Sequence, residues 1–275
     1  MKKILVFGKG YIGSYLTTVL GATPAEGRLG VSESEIRRHK PDVVINAAGV
    51  TGHPNVDACE ADAALTMTVN TSEAIRLGTI CGLLGVHLIH LGSGCIFYGH
   101  SVHPAGWSES DFALPQSTYS VSKWAADLAL RQMPGVAILR LRMPISYAPH
   151  PRNLITKLVS YAKSGKVIDV QNSITVREDL PGIVQAVIER RATGIFHCTR
   201  PDPVSHREIL AAYSRVVEPL EPTWIPDYNL WPLGLVERPR SSVILQTERL
   251  KEIGVTLPPL GPELDDLMQS YKERL

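Results

Sequence analysis

Hydrophobic positions along the chain fall into two alternating kinds of run. Ile4-Leu5-Val6-Phe7 is a short continuous apolar stretch; beyond it Ile12, Leu16, Val19 and Leu20 recur at helical spacing. Ser32-Glu33-Ser34-Glu35 has the form of a capping box opening a short helix, and Pro41 stops that helix before the apolar run Val43-Val44-Ile45. The pattern repeats: a helix over about 70–84 leads to a strand over 86–91, and a helix over about 119–132 leads to a strand over 136–141. Strands that are apolar throughout, rather than on alternate residues, are covered on both faces, which predicts a parallel sheet between helical layers.

Beyond Pro144 the character changes. Twelve prolines from Pro149 to Pro259 crowd this half, and its apolar runs are short and scattered. Two helix starts stand out, one at Asp179-Leu180-Pro181 with proline in the first turn, the other at Ser205-His206-Arg207-Glu208, a second capping box. The expected architecture is a Rossmann-type doubly wound α/β domain over residues 1–145 and a smaller substrate-binding subdomain over 146–275, with segments returning to the main sheet.

Composition narrows the function. The 275 residues are 44% hydrophobic and 20% charged, within the globular range. Twenty-eight Lys and Arg against 27 Asp and Glu leave a net charge of +1, so no global field draws the protein to nucleic acid or an acidic membrane. No apolar run approaches the roughly 18 residues of a membrane span, and no signal-peptide pattern follows Met1; a cytoplasmic location is expected. Cys59, Cys81, Cys95 and Cys198 form no C-x-x-C pair, and the nine histidines no H-E-x-x-H pattern, so neither a disulfide framework nor a metal site is expected.

Between the first strand and first helix lies Gly8-Lys9-Gly10-Tyr11-Ile12-Gly13. Glycines in this G-x-G-x-x-G spacing let the backbone approach a pyrophosphate whose charge rests on the helix N-terminus, so a dinucleotide site is expected. No acidic residue closes a second strand about 20 residues on. Arg28 and Lys9 are candidates for a 2′-phosphate or are solvated surface charges; NADPH is favoured, with NADH as the alternative.

Tyr119 and Lys123 stand four apart on one predicted helix, hence on one face. A neighbouring ammonium favours the phenolate, so Lys123 is expected to acidify Tyr119. Ser93 follows the strand 86–91 at the carboxyl edge of the sheet, where ligands of open α/β folds bind. Glycine turn, Ser93, Tyr119 and Lys123 in this order resemble the extended short-chain dehydrogenase/reductases. Asn46-Ala47-Ala48-Gly49 is similar to that superfamily's cofactor-facing loop, and Asn70 to its central-helix asparagine.

The resemblance narrows with Val44 to Asp57, Ser93-Gly94-Cys95-Ile96-Phe97, Arg142-Met143-Pro144-Ile145-Ser146, Pro151 to Lys157 and Pro239-Arg240-Ser241. These resemble the bifunctional nucleotide-4-keto-6-deoxyglucose 3,5-epimerase/4-reductases of rhamnose synthesis, relatives of the dTDP-4-dehydrorhamnose reductases. The resemblance implies a nucleotide-diphosphate sugar substrate carrying UDP or dTDP, reduction by Ser93, Tyr119 and Lys123, and an acid-base pair of Cys95 and Lys157 for epimerisation. It also implies Met143 at the cofactor, and Thr51, His53, Asn55, Arg152, Asn153 and Arg240 at the substrate. His53 stands where plant-type members carry arginine, and Arg152, Asn153 and Arg240 have structural salt bridges as their alternative role. A 4-reductase without epimerase activity and a non-catalytic NADP-binding regulatory subunit are the rival readings. A homodimer is compatible with this picture, and Cys59, Cys81 and Cys198 read as buried packing thiols.

Overall fold

The computed structural model describes residues 2–53, 55–226 and 230–275. Its centre is a six-stranded parallel sheet in the order β2-β1-β3-β4-β5-β8. The strands are β1 (Ile4–Phe7), β2 (Thr23–Pro24), β3 (Val43–Asn46), β4 (His87–Ser93), β5 (Val136–Leu141) and β8 (Gly194–His197). Outside the exposed two-residue β2, successive strand residues feed opposite cores, as a pleat requires. Val6, Ile45, Ile89 and Leu139 pack toward α1 (Tyr11–Val19) and α8 (Leu180–Arg190). Leu5, Val44, Leu88 and Ile138 pack toward α2 (Ser32–His39), α5 (Glu73–Leu84) and α6 (Thr118–Leu130). This is the doubly wound Rossmann-type sheet that the apolar runs predict.

After β1 the chain turns to one side to form β2, then crosses to the other side to form β3. The reversal opens a crevice at the carboxyl ends of β1 and β3, the place where open α/β sheets hold ligands. β2 is only two residues long, in keeping with the missing second-strand pattern in the sequence.

The chain leaves the sheet after β5 and builds a second core. α7 (Leu154–Ser164), α9 (His206–Val216) and α10 (Leu264–Lys272) enclose Leu158, Ile209, Leu210, Leu267 and Met268. Short strands lie at its edge: β6 (Lys166–Ile168) pairs with β10 (Thr223–Ile225), and β7 (Gln171–Asn172) with β9 (Val204–Ser205). Between these halves α8 and β8 return to the main sheet. No described helix is long and apolar enough to cross a membrane.

Helix termini separate the two expected capping boxes. Ser205 accepts from the Glu208 backbone N–H and Glu208 reaches back to the Ser205 N–H, so the second box forms. At α2 it does not: no side chain caps the helix, because the Glu35 carboxylate is held by the Glu26 N–H and Arg38. Helical structure before β4 also begins earlier than the periodicity predicts, as α3 (Ala58–Ala61) and α4 (Ala63–Met67). A π-helical turn, Thr68–Ser72, joins α4 to α5 and carries Asn70.

Candidate active site

The glycine turn is built by backbone packing. Gly8 adopts φ +102°, and a Cβ there would lie 2.4 Å from the Ala47 carbonyl carbon; one at Gly13 would lie 1.9 Å from the Gly8 oxygen. Gly10 differs: nothing lies within 4 Å of its Cβ position, and it begins α1 without a side-chain cap. The start of α1, Gly10 to Ile12, lines the cavity, and the free N–H groups of a helix N-terminus suit a pyrophosphate. Tyr11, Ile12, Ala47, Ala48, Gly49 and Met143 continue the wall of the same cavity, whose volume is about 720 Å³. Met143 holds φ +40°, the strained conformation sometimes stored at functional sites.

Asn46 and Asn70 shape this wall from behind it. Asn46 Oδ1 accepts from the Ala48 N–H at 3.1 Å, and Asn70 clamps Val50 through both its N–H and its carbonyl, at 2.8 and 2.9 Å. Lys9 and Arg28 are exposed and lie outside the cavity lining.

Ser93, Tyr119 and Lys123 converge on the cavity from the end of β4 and one face of α6. Lys123 Nζ donates to the Leu91 carbonyl at 3.0 Å. Burial drives the Lys123 ammonium down to about 8, against the opposing pull of Asp127. Tyr119 behaves differently from expectation. Burial pushes its phenol above the ordinary value, Cys95 adds to the rise, and Ser93 and Arg142 counter it, whereas Lys123 is not among the causes. The expected acidification by Lys123 fails because that ammonium is turned to the Leu91 carbonyl and is itself desolvated. The result is a phenol that keeps its proton at neutral pH, as a general acid must.

Cys95 lies half-buried in the turn after Ser93, while Cys59, Cys81 and Cys198 are buried. The Ser93 hydroxyl accepts from the Cys95 N–H at 3.1 Å, and Ser120 of α6 donates to the Cys95 carbonyl at 2.7 Å. Lys157 lines the same cavity from α7, and burial first, then Arg152, lowers its ammonium below the ordinary lysine range. The side chain that actually touches the Cys95 sulfur is Arg142, whose Nη1 stands 2.8 Å from Sγ. Sequence reasoning noted Arg142 in its motif yet took only Met143 into the site.

Among the expected substrate residues, Thr51, Asn55, Arg152 and Arg240 line the cavity, joined by Lys166 of β6. Arg240 is held by a bidentate pair with Asp57, at 2.6 and 3.0 Å, and Arg152 donates to the Gly52 carbonyl at 2.7 Å. His53 is exposed and outside the lining; Pro54 of the same motif lies outside the described residues. Asn153 is corrected outright. It is fully buried, caps α7 through Oδ1, and spends its amide protons on the Ser146 and Ala148 carbonyls, leaving nothing for a ligand.

With the geometry established, comparison with known proteins is informative. The family model described as RmlD substrate binding domain matches residues 29–273. A bifunctional dTDP-4-dehydrorhamnose 3,5-epimerase/dTDP-4-dehydrorhamnose reductase of Arabidopsis thaliana is 38% identical over 263 residues, 90% of this chain and 86% of that one. A trifunctional UDP-glucose 4,6-dehydratase/UDP-4-keto-6-deoxy-D-glucose 3,5-epimerase/UDP-4-keto-L-rhamnose-reductase of the same plant is 37% identical over 79% of this chain, which spans 34% of its length. Among solved structures, the L780 UDP-rhamnose synthase from Acanthamoeba polyphaga mimivirus superposes with a TM-score of 0.90 at 29% identity, covering 98% of this chain and 99% of that one.

Proposed function

The chain belongs to the RmlD substrate-binding domain family, and from that premise we propose that it converts a nucleotide-diphosphate 4-keto-6-deoxy-D-glucose to the corresponding L-rhamnose nucleotide. The reaction has two stages, epimerisation at C3 and C5 and then reduction at C4. Residues 1–145 mainly hold the cofactor and 146–275 mainly the sugar nucleotide. The observation that carries this reading is the convergence of Ser93, Cys95, Tyr119, Lys123 and Lys157 on one cavity that also reaches the glycine turn.

A 4-ketone acidifies the hydrogens on both C3 and C5, so one acid-base pair serves both centres. Cys95 and Lys157 remove a proton from one face of the carbon and return one to the other, while hydroxyl donors at O4 bear the enolate charge between the two transfers. Ser93 and Tyr119 are those donors. Once the stereocentres are set, the same two hydroxyls grip O4 for reduction, and Tyr119, protonated at rest, gives its proton to the oxygen as alkoxide charge develops. Lys123 braces this wall of the site through its bond to the Leu91 carbonyl.

NADPH, the cofactor the reductase family uses, supplies the hydride to C4 when bound. Gly8, Gly10 and Gly13 with the N-terminus of α1 would hold its pyrophosphate, and Ala47, Ala48, Gly49 and Met143 its nicotinamide half. Arg152 and Arg240, planar guanidiniums lining the same cavity, suit the diphosphate of the sugar nucleotide.

The test is turnover of UDP- and dTDP-4-keto-6-deoxyglucose with NADPH in D₂O. The expected result is NADPH oxidation with deuterium at C3 and C5 of an L-rhamnose product. Deuterium-free product of unchanged C3 and C5 configuration would mark a plain 4-reductase, and absence of NADPH oxidation with either nucleotide would mark a binding subunit; both outcomes overturn the proposal.

A further inference from the structure

Three arginines are buried: Arg140, Arg142 and Arg200. Arg140 pairs with Asp127 at 2.8 Å, and Arg200 with Asp179 and Glu263. Arg142, only 2% exposed, forms no ion pair with any carboxylate among the described residues. Its Nη2 donates to two neutral acceptors, the Asn172 side-chain oxygen and the Ser241 carbonyl, and its Nε has no partner. Its remaining contact is Nη1 to Cys95 Sγ. Removing a guanidinium from water costs several kcal/mol unless an anion accompanies it. The one ionisable group in hydrogen-bonding contact with Arg142 is the Cys95 thiol.

We propose that Arg142 is the built-in counter-ion of a Cys95 thiolate, a positioning residue that makes Cys95 the base and leaves Lys157 the acid of epimerisation. The inference rests on the epimerase reading above and deepens it. Sheet register creates the contact: Ser93 pairs with Leu141 across β4 and β5, so the residues just past each strand meet. Asn172 and Ser241 fix the far end of the guanidinium, so its charge is aimed before substrate arrives. In the step itself, the Cys95 thiolate takes a proton from C3 or C5 and becomes a thiol. The C–H electron pair moves into the enolate, whose charge rests on O4. Lys157 then gives a proton to the opposite face and becomes an amine, and exchange with solvent restores both groups. Arg142 keeps its proton throughout and lowers the cost of the resting thiolate through a charge-assisted hydrogen bond.

The test reads the thiolate directly. Cys95 is the one cysteine that is not buried, so iodoacetamide alkylation of its peptide is followed by mass spectrometry from pH 5 to 10. Wild-type protein, Arg142→Gln and Arg142→Lys are compared, with Cys95→Ser as the blank. The expected result is a wild-type rate near its plateau by pH 6.5, at least a tenfold slower rate at that pH in Arg142→Gln, and partial recovery in Arg142→Lys. A folded Arg142→Gln variant with the wild-type profile would overturn the proposal. Should that variant not fold, the wild-type profile decides alone, because a midpoint at or above the roughly 8.5 of a free thiol also overturns it. Deuterium exchange at C3 and C5 in Cys95→Ala separates the underlying reading: undiminished exchange there removes Cys95 from epimerisation and with it the base assignment.

Discussion

Asn70 Nδ2 donates to Ser122 Oγ at 3.0 Å, tying the π-helical turn to the residue that lies between Tyr119 and Lys123 on α6. Ser122 in turn donates to the Tyr119 carbonyl at 2.7 Å, while Asn70 also holds both polar groups of Val50. One buried amide thus fixes α6 relative to the loop after β3, and a π-turn is a known way of aiming such a residue. Asn70→Ala is expected to lower the reductive kcat about tenfold to a hundredfold, the scale of a misplaced catalytic group. Losing these bonds should also cost about 1–3 kcal/mol of stability. Single-turnover NADPH oxidation and urea unfolding check the two effects separately.

Lys123 sets a function against stability. With its folded value near 8, below the roughly 10.4 of an exposed lysine, the folded state binds fewer protons than the unfolded chain between those limits. Stability conferred on the fold therefore rises with pH across about 8 to 10.4 and is penalised below it. Lys123→Met should remove that penalty, raising Tm at pH 7 by a few degrees and flattening this part of the stability profile, while reduction falls by at least a hundredfold. In the unsubstituted protein, kcat/KM for reduction should decline as pH rises through about 8. Thermal unfolding between pH 7 and 10, with matching kinetics, tests both; an Lys123→Met variant less stable at pH 7 than the parent would contradict the argument.

The Asp57–Arg240 pair joins the loop after β3 to the C-terminal segment, with both side chains about one-fifth exposed and Arg240 lining the cavity. A guanidinium held at two points is aimed before ligand binding, which lowers the ordering cost of binding. Asp57→Asn should raise KM for the sugar nucleotide by about threefold to thirtyfold, and Arg240→Ala by more, with kcat and the NADPH Kd little altered. Steady-state kinetics with each substrate varied in turn would reveal the split; an effect on kcat alone would place the pair elsewhere in the mechanism.

The doubly wound sheet was readable because its strands are apolar on both faces, and Tyr119, Lys123 and the glycine turn because their relations are local, set by helical spacing or by one βα turn. What escaped the sequence depends on distance. Arg142 reaches Cys95 across 47 positions, through a strand register that no periodicity encodes. Asn153 has the residue type and neighbourhood of a substrate ligand, yet a helix start consumes its hydrogen bonds. Ser32 has the spacing of a capping box, but Glu35 finds stronger partners in Arg38 and the Glu26 N–H. The sign of the Tyr119 shift was misjudged for a similar reason, since spacing along α6 shows proximity to Lys123 but not burial or where the ammonium points.

The three glycines of the turn separate folding from cofactor binding. Gly10 has φ −84° and ψ −171°, backbone that alanine adopts freely, and its Cβ position is open. Gly10→Ala should therefore fold with unchanged or slightly higher Tm, because alanine restricts the unfolded chain. The added methyl would occupy the approach of the pyrophosphate to α1, so the NADPH Kd should rise at least tenfold. Gly13→Ala is the contrasting case: its Cβ would overlap the Gly8 oxygen at 1.9 Å, forcing strand and helix apart. That variant should lose both stability, by about 1–3 kcal/mol as overpacked sites do, and NADPH affinity. Fluorescence titration with NADPH alongside thermal unfolding distinguishes the two, and equal NADPH affinity in Gly10→Ala and the parent would mean that the dinucleotide does not rest on this helix terminus.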